Sequence, residues 1–184
     1  SFLLENAPDT GLDEASSLLA RALLVKPDYL PAVRTMISLE IMRGNRLGAL
    51  TLCDRYLSQT PDDPELLSMK ARLLAVSKED LDEALALIER AIAQDDRLDY
   101  LAIRGMIRLS SGDYRGALVD LKQVEQGQKT VSANIDLALA KAMLETGQRS
   151  EAARYFKSAE DKARLGETLD GTLHDSVKSA LASQ

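Results

Sequence analysis

Few residues in this chain have the types and spacing that chemistry requires. His174 is the only histidine and Cys53 the only cysteine, so neither a His-paired zinc site nor a Cys/His dyad elsewhere in the chain has its parts. His174 reads as a surface residue of a helix. The adjacent carboxylates Asp62-Asp63 and Asp95-Asp96 have the types for acid–base work. Each pair, however, stands at the end of an apolar-periodic segment, where helix capping and the helix dipole account for it. Gly44, Gly112 and Gly147 are isolated from one another and form no phosphate-cradling loop. We therefore assign no catalytic, cofactor-binding or metal-binding residue, and the chain reads as non-catalytic. Nucleic acid is a poor match too, because 23 basic residues face 29 acidic ones and only 4% of the chain is aromatic.

The elements that hold these residues repeat. From Arg104 to Leu121 the chain reads as helix, tight turn, helix, with Gly112-Asp113 as the breaker between two segments of helical apolar spacing. Gly105 and Ala117 place one small residue on each segment, where two helix backbones can approach closely. The second-segment alanine recurs as Ala15, Ala49, Ala84, Ala117 and Ala152, at spacings of 34, 35, 33 and 35 residues. A period of that length is the mark of a stacked helical array. One turn beyond each alanine stands Leu19, Cys53, Ile88, Leu121 or Phe156. Cys53 thus fills a packing row and is expected in the core, since a free cysteine behaves as a small hydrophobe. A further row holds Ala22, Tyr56, Ala91, Val124 and Ala159, and Pro27 and Pro61 close their units, with Asp96 in the equivalent place of the next.

This pattern resembles the tetratricopeptide repeat family over almost the whole chain. The resemblance implies an all-α fold: a right-handed α-solenoid of antiparallel helix pairs, finished by a C-terminal capping helix. The units are expected as a partial repeat over 1–29, repeats over about 30–63, 64–97, 98–131 and 132–165, and a capping helix over about 168–182. In the first helices the family's small residue is Ala71, Gly105 or Ala140. Ile37 fills that place in the earliest complete unit and predicts a wider helix separation there. Glu40 and Arg108 stand where the family usually has Tyr or Leu. A charge buried without a partner is costly, so both are expected to run along their helices and reach solvent.

In chain order, Ser1 to Ala7 reads as the end of a helix begun upstream, and the chain is expected to be a fragment of a longer protein or a processed chain. Asp63 is placed to cap the helix that Pro64 opens. Ser77-Lys78-Glu79-Asp80 is similar to a capping box. Gln126 to Thr130 is the least apolar link and lacks a closing proline. The composition, 45% hydrophobic and 28% charged, is too apolar for disorder. No run approaches the roughly 20 apolar residues of a membrane span, so direct membrane insertion is not expected. The chain reads as soluble, in the cytoplasm or a periplasm.

In the family the first helices line a concave face. Steps of i, i+4 and i+7 put Arg34, Ser38 and Ile41 on one such face, then Ser68, Arg72 and Ala75, then Ala102, Met106 and Leu109, then Leu137, Lys141 and Leu144. Asn is absent from these rows, so they do not match the family's clamp for carboxy-terminal peptides. The expected function is a protein–protein interaction scaffold, holding a protein or peptide segment with apolar and acidic side chains within a larger assembly. The alternative is the docking or regulatory arm of an enzyme or signalling protein whose catalytic domain lies outside the chain. Leu18, Leu19 and Ala22 are expected to lie incompletely covered, which favours self-association through the amino-terminal end.

Overall fold

The computed structural model describes residues 10–76 and 80–183, which form ten α-helices and, among the described residues, no strand. Helix α1 (Thr10–Val25) is followed by four pairs: α2 (Leu30–Met42) with α3 (Arg46–Leu57), α4 (Pro64–Ala75) with α5 (Leu81–Gln94), α6 (Leu98–Ser111) with α7 (Tyr114–Gly127), and α8 (Ala133–Glu145) with α9 (Arg149–Arg164). Helix α10 (Gly171–Ala182) packs across α8 and α9. Each helix packs on its neighbours in the chain, which is the quasi-one-dimensional order of an α-solenoid. The residues read as an upstream helix end, Ser1 to Ala7, and most of the capping box at Ser77 to Glu79 lie outside the described residues.

The turn inside a pair carries a left-handed glycine three times, and twice a side-chain cap follows it. Gly112 ends α6 at φ 84° in the left-handed region, which an L side chain rarely adopts. Asp113 then caps α7, its Oδ1 accepting from the Gly116 amide at 2.9 Å. Gly44 and Gly147 have the same backbone hand, and Asn45 caps α3 through the Gly48 amide at 3.1 Å. At the unit junction Asp63 caps α4, accepting from the Leu66 amide at 2.8 Å, and Pro64 occupies the first turn, where no intrahelical N–H is needed.

The alanine row forms the spine of the core. Ala49, Ala84, Ala117 and Ala152 are fully buried, as are Cys53, Ile88 and Leu121 one turn on. A Cβ added to Gly105 would stand 2.8 Å from the Leu121 side chain, so α6 and α7 touch there with no room for a larger residue. Ile37 is also fully buried, and α2 approaches α3 along less of its length than the later pairs approach each other. Burial and the neighbouring Asp54 push the Cys53 thiol up to about 11, against a smaller opposing pull from Lys70. The group is a protonated packing residue.

Two expectations about charge are overturned. Asp120 of α7 is 1% exposed at its side chain and accepts from Arg104 Nε and Nη2 at 2.9 and 2.7 Å and from Arg108 Nη1 at 2.9 Å. Arg108 therefore pairs inside the array, because a buried carboxylate on the next helix waits for it. Glu40, 14% exposed at its side chain, accepts from Asn45 at 2.5 Å and from Arg43 at 3.3 Å.

Candidate binding surface

The first helices α4, α6 and α8 form one layer, since α4 packs directly on α6 and α6 on α8, with no comparable packing among α5, α7 and α9. That layer is the inner face. Its amino-terminal ends are tied by a ladder of ion pairs from unit to unit. Arg34 of α2 pairs with Asp63 at 2.6 Å and with Glu65 of α4. Glu65 also meets Arg97 at 3.2 Å, and Arg97 meets Asp99 at 2.8 Å.

Against this geometry the expected groove residues separate into groups. Arg34 is held by its two carboxylates and Lys141 by Glu145 at 2.7 Å, so neither offers a free charge. Arg72 is exposed and makes no ion pair among the described residues. Ser38 is exposed, Ser68 is 5% exposed, and Ile41, Met106, Leu109 and Leu144 are half-buried. Met106 and Leu109 pack against the cluster of Leu121, Ala138 and Leu139. Leu137 does not belong to the surface. It is fully buried with Ala133 and Ala159, where Leu169 and Leu173 of the α10 region close over it. His174 is likewise no open surface residue, because its ring stacks on Phe156 with centroids 5.1 Å apart and Nε2 lies 3.5 Å from Glu160.

Between α4 and α6 the face opens into a small cleft of about 190 Å³, lined by Ser68, Met69, Arg72, Tyr100 and Ile103 with the ion pairs of Arg97 at one end. Tyr100 is 1% exposed and its hydroxyl has no hydrogen-bond partner among the described residues. Burial pushes its phenol up, while the Arg97 guanidinium, 4.9 Å from the ring centroid, opposes the shift. Sequence reasoning missed Tyr100 and Ile103 because it followed the row Ala102, Met106 and Leu109. The row one position round the helix, Tyr100, Ile103 and Ile107, faces the preceding unit.

The arrangement is an all-helical solenoid whose fold is similar to that of tetratricopeptide-repeat proteins. Residues 12–73 match the family model for the tetratricopeptide repeat, and the structural neighbours are tetratricopeptide-repeat proteins. MamA of Desulfovibrio magneticus RS-1 superposes with a TM-score of 0.69 at 14% identity, covering 85% of this chain and 88% of that one. A thermophilic TPR protein of Thermus thermophilus gives 0.67 at 23% identity, with 92% and 90% covered. YrrB, described as a TPR protein with an unusual peptide-binding site, gives 0.65 at 18% identity, with 92% and 84% covered. At these identities the likeness is one of fold. No curated protein matches the chain. Protein–protein interaction is typical of the family whose model matches residues 12–73. Among the described residues no helix is long and apolar enough to cross a membrane.

Proposed function

We propose that the inner groove binds a peptide segment of a partner protein carrying acidic and apolar side chains. One observation carries the reading: the cleft between α4 and α6 combines an unpaired Arg72, an unpartnered Tyr100 hydroxyl, and the apolar sides of Met69 and Ile103. An acidic side chain seated there pairs with Arg72, and Met106 and Leu109 on the next stretch of groove receive apolar neighbours. YrrB, with its peptide-binding site, supports a peptide as the occupant. Selection from a displayed library of 12-residue peptides is expected to enrich Asp or Glu next to Leu, Ile or Met. With a selected peptide, Arg72→Glu should slow association and flatten its salt dependence, whereas Met106→Ala should speed dissociation, each costing about 1–2 kcal/mol. Kinetics no more sensitive to these changes than to Lys178→Glu on α10 would move the interface to another face.

We also propose that the amino-terminal end associates. Leu18, Leu24 and Val25 of α1 are 55%, 82% and 88% exposed, an apolar density that marks an interaction surface. Light scattering should show mass rising with concentration, and Leu24→Glu with Val25→Glu should abolish the rise. A strict monomer at every concentration ends the idea.

A further inference from the structure

We propose that the cleft between α7 and α9, on the opposite face from the groove, is a second binding site that takes a single carboxylate attached to a small apolar group. Its volume is about 490 Å³, within the range of small-ligand pockets, roughly 300–1,000 Å³. The sequence places the link at Gln126 to Thr130, but α7 continues to Gly127, so the link begins at Gln128; its residues Gln128 to Val131 line the cleft's edge.

The inner wall is fixed by two hydrogen-bond networks. Lys122 of α7 donates to Glu125 at 2.9 Å and contacts the Tyr155 hydroxyl, which itself donates to the other Glu125 oxygen at 2.6 Å. Lys162 of α9 donates to Asp136 at 2.6 Å and to the Val131 carbonyl at 2.7 Å, and Ser158 donates to the same Asp136 oxygen at 2.6 Å. An ammonium has three donors, so each lysine keeps one in hand beyond the two these networks use. Burial pulls the Lys122 ammonium down, but its bonds to Tyr155 and Glu125 carry it above the usual lysine range. It stays charged at neutral pH.

Lys129 and Arg154 also line the cleft and make no ion pair among the described residues. Against the four cations stand Glu125, Asp136 and Glu151, so the lining is positive by one charge on a chain whose formal net charge is −6. A carboxylate balances that excess. A phosphate dianion overshoots it and meets three carboxylates, which makes it the poorer ligand. Val131 and Met143 supply the apolar part of the lining.

The shared chemistry admits a free organic acid or a glutamate side chain of another protein. Titration of the full chain, followed by amide nuclear magnetic resonance, separates the sources. N-acetyl-leucine represents the free acid, with its primary amide as the neutral counterpart. Acetyl-Leu-Glu-Leu-amide represents the side chain, with the Gln peptide as counterpart. At least one acid should shift α7 and α9 amides saturably, with its neutral counterpart at least tenfold weaker. Arg154→Glu or Lys129→Glu, both at exposed positions, should each weaken that binding at least tenfold, and Arg72→Glu in the groove should leave it unchanged. Equal binding of acid and neutral probe, indifference to both charge reversals, loss on Arg72→Glu, or no saturable shift with either acid overturns the proposal. The groove reading stands or falls separately.

Discussion

Asp120→Ala should be among the most damaging single substitutions in the array, lowering stability by about 3 kcal/mol. The carboxylate is 1% exposed at its side chain and holds Arg104 with two hydrogen bonds and Arg108 with one. Removing one member of a buried ionic cluster typically costs ~3–5 kcal/mol, because the remaining charges lose their compensation while staying desolvated. The lower end applies here. Both arginines are 20% exposed at their side chains, and Arg108 has Asp113 at 3.7 Å and Glu89 at 3.8 Å to turn to. For a chain of this size the change corresponds to a fall in Tm of about 6–12 °C. The reference is Arg90→Ala, which breaks a pair to Asp62 whose members are 50% and 66% exposed and should cost under about 0.5 kcal/mol. Hydrogen exchange should show the α6 and α7 amides losing protection first, since a solenoid opens locally. Denaturation in which Asp120→Ala costs no more than Arg90→Ala would mean that the cluster is solvated in solution.

A second large effect should follow the packing row beyond the alanines, and its size should follow burial rather than residue type. Ile88→Ala removes a fully buried side chain that sits with Ala84, Ala91, Leu74 and Tyr100. The expected cost is about 3 kcal/mol, within the roughly 2–5 kcal/mol of such truncations, which combine lost transfer energy with a residual cavity. Leu19→Ala stands at the equivalent place in α1, where the side chain is partly exposed. It should cost about 1 kcal/mol or less, because solvent already reaches the site and no closed cavity forms. Urea denaturation of the two variants at equal concentration decides the matter, and equal costs would show that the amino-terminal helix is as well covered as the middle of the array. Concentration must be matched because association through α1 would itself protect Leu19.

The positions legible in advance share a cause. The spacing of Ala49, Ala84, Ala117 and Ala152, the left-handed Gly44, Gly112 and Gly147, the Asp63 cap and the burial of Cys53 all follow from relations within one helix pair. Helical periodicity chooses which face is buried, and turn chemistry chooses where a helix ends. Both act over a few residues, so the amino-acid sequence by itself determined an all-helical array. It did not determine which charges are free. Arg34 finds Glu65 on the next first helix, Arg108 finds Asp120 across its own turn, and Lys162 finds Asp136 on the facing helix. Leu137 has the spacing of a surface row but lies under Leu169 and Leu173, which α10 and the segment before it bring across α8. The outer cleft likewise exists only once α9 stands beside α7 with residues 128–131 at its edge. Residue spacing carries no distance between successive helices, and in an acidic chain the nearest carboxylate on a neighbouring element decides whether a basic side chain binds the protein itself or is left for a partner.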